Sequence, residues 1–209
     1  MQEKENKLAY ILGPVRKIDE EKRLIVADYA RNLREEGYRV FDPIKDAPQE
    51  DPTGYNIVIS ELRWLRKMKR ASYQGAEVKV PVFWSDDPPS EGSRVDMGMV
   101  LGLKLESELV HEWGDGWEKF YALAVNLQKY VETYIQPHRR TGDMIWHVDM
   151  GDNESERVKL GLYLALLSRS GGFRLDYFNL IGEDDPHKKS YPKVVSEIQR
   201  RQPANIPLW

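Results

Sequence analysis

The strongest constraint on this chain is a hydrophobic pattern that switches repeatedly between short apolar runs and helical spacing. KLAYILGP, residues 7–14, is a brief apolar run closed by Gly-Pro. From Asp19 the apolar positions Leu24, Ala27, Ala30 and Leu33 recur every three residues with charges between them. That is the grammar of strand, loop and helix. EEGYRVFDP repeats it, with Gly37 as a helix C-cap, Tyr38 to Phe41 as a second strand and Asp42-Pro43 ending it.

A loop rich in Pro, Asp and Gly runs to about Gly54. From Asn56 to about Arg70, Ile57, Glu61, Trp64, Leu65 and Met68 then fall near one side of a helix. AEVKVPVFW, residues 76–84, reads as a third strand from its alternating valines, with Pro81 marking an edge or a bulge. A loop and helix occupy residues 85–104, and LESELVHEW offers a fourth strand. Trp117 to about Ile135 is a long amphipathic helix carrying Phe120, Leu123, Ala124, Leu127, Val131 and Tyr134.

Strands alternating with helices imply an α/β fold of the doubly wound class, Rossmann-like or flavodoxin-like, with a mainly parallel sheet and helices on both faces. Such sheets bind ligands in the crevice beyond the strand C-termini. After QPHRRTG the style changes: DMIWHVDM suggests a strand, Glu154 to Ser168 a leucine-rich helix, GFRLDYFNLIG a strand or loop, and Tyr191 to Arg201 a short helix. The expected organisation is an α/β domain over residues 1–136 and a C-terminal α+β extension over residues 137–209, serving as lid, cap or dimerisation element.

Composition narrows the chemistry. The 209 residues contain no cysteine, so disulfides, thiolate catalysis and cysteine-zinc sites are excluded and any nucleophile is oxygen or nitrogen. With 31 basic against 34 acidic side chains, the net charge of -3 offers no excess for holding a long nucleic acid. The start, MQEKENKLAY, lacks the apolar stretch of a secretory signal, and no apolar run approaches the ~20 residues of a membrane helix. These features lead us to expect a cytoplasmic protein without membrane contact. The histidines His111, His138, His147 and His187 are scattered without metal-ligand spacing, so no metal is expected.

Three loops meet at the expected crevice: GPVR after the first strand, DP after the second and PPSEGSR after the third. Their glycines allow backbone N–H groups to approach a ligand, and a helix beginning near Ser93 directs its positive end there, which suits phosphate. Asp96 is a lone acid in an apolar run. Placed in the first turn of that helix, it is also accounted for as an acid favoured by the helix dipole.

The spacing Ser90-x-Gly92-x-x-x-Asp96-x-Gly98, following a valine-rich strand, resembles the signature of the nucleoside 2-deoxyribosyltransferase superfamily. YILGPVR is similar to that family's opening strand and glycine loop, and SELRWL to its helix bearing a second acid; the resemblance spans roughly residues 7 to 135. Serine at position 90 and the glycine-x-x-arginine of GPVR resemble the branch that hydrolyses nucleoside 5′-monophosphates. In that branch the serine hydrogen-bonds the phosphate. The chain departs from the pattern in having Asp96 where glutamate is usual, Glu61 where aspartate is usual, and extra residues in RKMKRASYQG.

The resemblance implies cleavage of the N-glycosidic bond of a nucleoside or deoxynucleoside 5′-monophosphate, with no nicotinamide, metal or flavin cofactor. Asp96 would attack C1′ as in retaining glycosidases. Glu61 would orient it or protonate the departing base, with the pKa values of the two carboxyls pushed apart, and Tyr10 would hydrogen-bond or pack beside the nucleophile. Gly13, Arg16, Ser90, Gly92 and Ser93 would form the phosphate cradle, where arginine offers a planar, permanently charged fork. Family members commonly assemble as homodimers or higher oligomers with composite sites.

Each of these residues also has a plainer account, as strand packing, solvated loop charge, helix cap or exposed helix acid. Three alternatives stand beside the hydrolase: a deoxyribosyltransferase proper, a non-catalytic nucleotide-binding or sensing module, and an adaptor whose residues 137–209 hold a protein partner. HEWGDGWE would present tryptophans to a base or staple the following helix, and RWLRKMKR reads as a solvated helix face.

Overall fold

The computed structural model describes residues 6–14, 18–47, 55–85, 90–134 and 153–170, and within them strands and helices alternate as the hydrophobic pattern requires. In chain order they are β1 (Lys7–Tyr10), α1 (Glu20–Glu35), β2 (Arg39–Phe41), α2 (Pro43–Asp46), α3 (Tyr55–Tyr73), β3 (Glu77–Lys79), β4 (Pro81–Ser85), α4 (Glu91–Gly102), β5 (Glu108–Trp113), α5 (Trp117–Tyr134) and α6 (Asn153–Ser170).

Caps set several of the boundaries. Asp19 accepts the Lys22 amide at 2.8 Å to start α1, with Glu20 and Glu21 in the dipole-favoured first turn. Beyond the end of α1, Gly37 takes φ +88°, which costs a glycine little. The buried Asp42 begins α2 by accepting the Ile44 amide at 3.1 Å, with Pro43 in the first helical position.

β1 lies between β2 and β3 in a parallel sheet, while β4 pairs parallel with β5. The two groups are joined where Leu12 bridges Val82: the Leu12 amide donates to the Pro81 carbonyl at 3.0 Å, and the Phe83 amide donates to the Leu12 carbonyl at 2.7 Å. The single run AEVKVPVFW is therefore two strands, broken at Val80. Pro81 does not lie on an edge as expected, because β4 has β5 on one side and Leu12 on the other. Its lack of an N–H donor is accommodated at the break, and the expected irregularity follows as a register shift between Val82 and Phe83.

Helices cover both faces of these strands. Ala9 and Ile11 point towards Val26, Ala30 and Leu33 of α1, whereas the alternate residues Leu8, Tyr10 and Leu12 join the larger core built with α3, α4, α5 and α6. The α1 stripe is rotated from the expected one, since Leu24 is 57% exposed and Val26 takes the buried position.

The described part of residues 137–209 is α6. Its Val158, Leu160, Leu162, Leu164 and Ala165 are built into the larger core rather than resting outside it. α6 meets α4 through glycine: a Cβ on Gly161 would stand 1.9 Å from the Val95 carbonyl oxygen, and one on Gly98 2.1 Å from that of Val158. Only hydrogen at these positions lets the two backbones approach so closely. The strands and the last short helix expected elsewhere in 137–209 lie outside the described residues. No helix among the described residues is long and apolar enough to cross a membrane.

Candidate active site

Three separate elements bring Tyr10, Glu61 and Asp96 together. Tyr10 is the last residue of β1, and strand alternation turns it to the α3 and α4 side, where its ring stacks on Phe41 with centroids 5.4 Å apart. Glu61 projects from the apolar stripe of α3, between Val58 and Leu62 in the wall of the larger core, and Asp96 from α4 beside Val95 and Met97. All three are buried: Tyr10 completely, Glu61 at 5% exposure and Asp96 at 4%.

Asp96 does not occupy a helix start. Ser90 is the N-cap of α4 and Glu91 its first residue, so Asp96 lies in the second turn, beyond the strongest influence of the dipole. It also faces the core rather than solvent, which removes the plain account of it as a first-turn surface acid.

The electrostatics follow from burial. Loss of water, then the charge of Asp96, pushes the Glu61 carboxyl well above its ordinary range. Burial likewise raises Asp96 to about 7, although the neighbouring Glu61 and Tyr10 side chains favour its ionised form. The Tyr10 hydroxyl is driven well up, by burial first and then by the charges of Asp96 and Glu61. Near neutrality Asp96 is thus the first of the three to ionise, while Glu61 holds its proton.

The Tyr10 hydroxyl stands near enough to favour ionised Asp96 but completes no hydrogen bond with the described residues. Tyr10 Oη and Asp96 Oδ1 have no hydrogen-bond partner among the described residues. Buried polar atoms left this way cost about 1–3 kcal/mol each, so packing alone does not account for them.

Of the residues expected to form a phosphate cradle, Ser90, Gly92 and Ser93 gather at the start of α4. Ser90 Oγ accepts from the Ser93 amide at 3.3 Å and from Ser93 Oγ at 2.8 Å. With both acceptor positions used, the Ser90 hydroxyl keeps one proton to donate elsewhere. A Cβ on Gly92 would meet nothing within 4 Å among the described residues. Gly13 has a packing reason of its own, because a Cβ there would lie 3.1 Å from Phe83 Cβ and 3.2 Å from its carbonyl oxygen. Arg16 lies outside the described residues. The DP loop contributes Asp42, which is already occupied in capping α2 and pairing with Arg34 at 3.7 Å.

One residue of this region escapes sequence reasoning. Arg94, written as an ordinary helix cation, is 3% exposed; its Nη1 donates to the Ser90 carbonyl at 3.1 Å, and its guanidinium lies 5.1 Å from the Trp84 ring centroid. The only signal in the sequence is its spacing, four residues after a loop serine, on a helix that follows a strand with an aromatic residue, Trp84, next to its end.

The tryptophans of HEWGDGWE pack on opposite sides of the strands. Trp113 stacks on Phe83 in the α1-side core, while Trp117 packs on Trp84 and Tyr121 in the other. Glu112 links the turn by accepting the Trp117 amide at 2.9 Å. Among the described residues no group of three His, Asp or Glu side chains is placed to hold a metal ion, and His111 packs against Trp113.

Comparison with known proteins returns no match, whether with family models, with curated proteins or with solved structures.

Proposed function

We propose that this protein is an N-glycosidase acting on a nucleoside 5′-monophosphate, with Asp96 as nucleophile. The observation that carries the reading is the convergence of two buried carboxyls and a tyrosine from β1, α3 and α4, with the Tyr10 hydroxyl and Asp96 Oδ1 left unpartnered among the described residues. A strand terminus and a helix whose capped start lies six residues before Asp96 frame this cluster. Six residues of helix span about 9 Å, on the scale of a phosphate joined to a sugar.

The protonation order supports a division of labour. Asp96, ionised near neutrality, attacks C1′ while the C1′–N bond breaks and its electron pair passes to the base. Glu61, still protonated, supplies the proton that the departing base takes up. Water then attacks C1′ of the sugar ester. Its proton returns to Glu61, the new hydroxyl stays on the sugar, and Asp96 leaves as carboxylate. A second base in place of water would make the same site a transferase. The Ser90 hydroxyl and the open approach at Gly92 supply donors for the 5′-phosphate.

The same reading takes the parallel strands, covered by helices on both faces, as a doubly wound sheet, and the protein as a cytoplasmic homodimer or higher oligomer. The test is chromatographic detection of free base from ribo- and deoxyribonucleoside monophosphates and the matching nucleosides, beside Asp96→Ala. Release from monophosphates that disappears in the variant is the expected result. Equal release from nucleosides would favour the transferase, and tight binding without release would leave a nucleotide-binding module.

A further inference from the structure

We infer that Arg94 is a positioning residue that holds the α4 N-cap in the geometry needed to grip the 5′-phosphate. This inference rests on the nucleotide reading of the site, but it concerns ligand affinity and does not require turnover.

A buried arginine is a costly way to fill space. Transferring a guanidinium from water into an aromatic interior is unfavourable unless its donors and its charge are used. Here the guanidinium lies 5.1 Å from the Trp84 ring centroid and 5.7 Å from that of Phe120, and those two rings stack on each other at 4.1 Å. Arginine is suited to this because its planar group stacks on rings while its edge still donates hydrogen bonds.

From this seat Nη1 reaches back one helical turn to the Ser90 carbonyl at 3.1 Å. Ser90 is thereby held from two directions, by Arg94 at its carbonyl and by Ser93 at its hydroxyl oxygen. The second hold orients the remaining hydroxyl proton, and the first fixes the backbone that carries it. β4, α5 and the start of α4 become one unit through a single side chain.

Arg94 acts at the phosphate end of the site and not at the carboxyls. Two residues apart on a helix, Arg94 and Asp96 project in roughly opposite directions. Burial, Glu61 and Tyr10 account for the protonation of Asp96. The role therefore separates from a general structural one: loss of the guanidinium should weaken the hold on phosphate while leaving the recognition of base and sugar.

The experiment is calorimetric titration of the full-length protein with a nucleoside 5′-monophosphate and with the same nucleoside, for wild type, Arg94→Lys and Arg94→Met. Circular dichroism confirms that each variant is folded. Arg94→Lys keeps the charge but loses the flat fork, and it serves as the folded comparison should the methionine variant fail. The expected result is that monophosphate affinity falls at least tenfold in Arg94→Lys while nucleoside affinity moves less than threefold. Equal losses for both ligands, or an unchanged monophosphate affinity, would overturn the inference, as would wild-type protein that does not bind the monophosphate. Wild-type protein that binds the monophosphate without releasing base would defeat the enzymatic reading and leave Arg94's role standing.

Discussion

Replacing Asp96 by asparagine should change the pH dependence of folding in a calculable way. The folded protein holds the Asp96 carboxyl at about 7 rather than 3.8. Each tenfold step in proton affinity is worth about 1.4 kcal/mol, so keeping Asp96 ionised inside the fold costs about 4 kcal/mol above neutrality. The direction follows from proton binding. Between 3.8 and about 7 the folded state binds more protons at this site than the unfolded chain, so stability falls as pH rises through that window and levels off above it.

Asparagine has no such titration, and its amide can donate to the neighbouring Glu61 and Tyr10. The stability of Asp96→Asn relative to wild type should therefore increase by about 2.5 kcal/mol between pH 5 and pH 8. Glu61, raised in the same direction, adds a slope of the same sign to both proteins, and loss of the Asp96 charge makes that slope no larger in the variant, so the difference keeps its sign. Urea unfolding followed by tryptophan fluorescence at fixed ionic strength measures it. A difference that stays constant with pH, or a variant that loses ground at pH 8, would mean that the Asp96 carboxylate is solvated or paired in the folded protein.

Two further outcomes test the same structure. Base release should rise as pH passes about 7, where Asp96 ionises, and fall at higher pH as Glu61 loses its proton; Glu61→Gln should keep the rising limb and lose the falling one in a kcat/KM profile. Gly161→Ala places a methyl 1.9 Å from the Val95 carbonyl and 2.7 Å from the Met99 amide. It should destabilise the protein by about 1–3 kcal/mol in urea through overpacking, and an unchanged midpoint would refute the α4–α6 contact.

Much of the architecture was legible because hydrophobic period reports local geometry directly. The runs at Lys7, Tyr38, Ala76 and Glu108 became strands and the three-to-four-residue spacings became helices, since an element must turn one set of side chains away from water whatever its neighbours are. The Ser90, Gly92 and Asp96 spacing was likewise readable, being contained within one loop and the helix that follows it. Period alone did not decide which side of α1 is buried: Leu24 and Val26 are both apolar, and the sheet beneath selected Val26. Nor did it reveal the break at Val80, which depends on β4 lying between Leu12 and β5.

The candidate site divides in the same way. Residue order determined which carboxyls, serines and glycines were available and which lay near the ends of strands. The tertiary structure alone decided that Glu61 and Asp96, thirty-five positions apart, share one dry interior with Tyr10, and that Arg94 lies against Trp84 and Phe120. The physical reason is that a helix presents every residue to some direction by its own geometry, whereas the loss of water that shifts a carboxyl or turns an arginine inward is imposed by whatever distant segment packs on top.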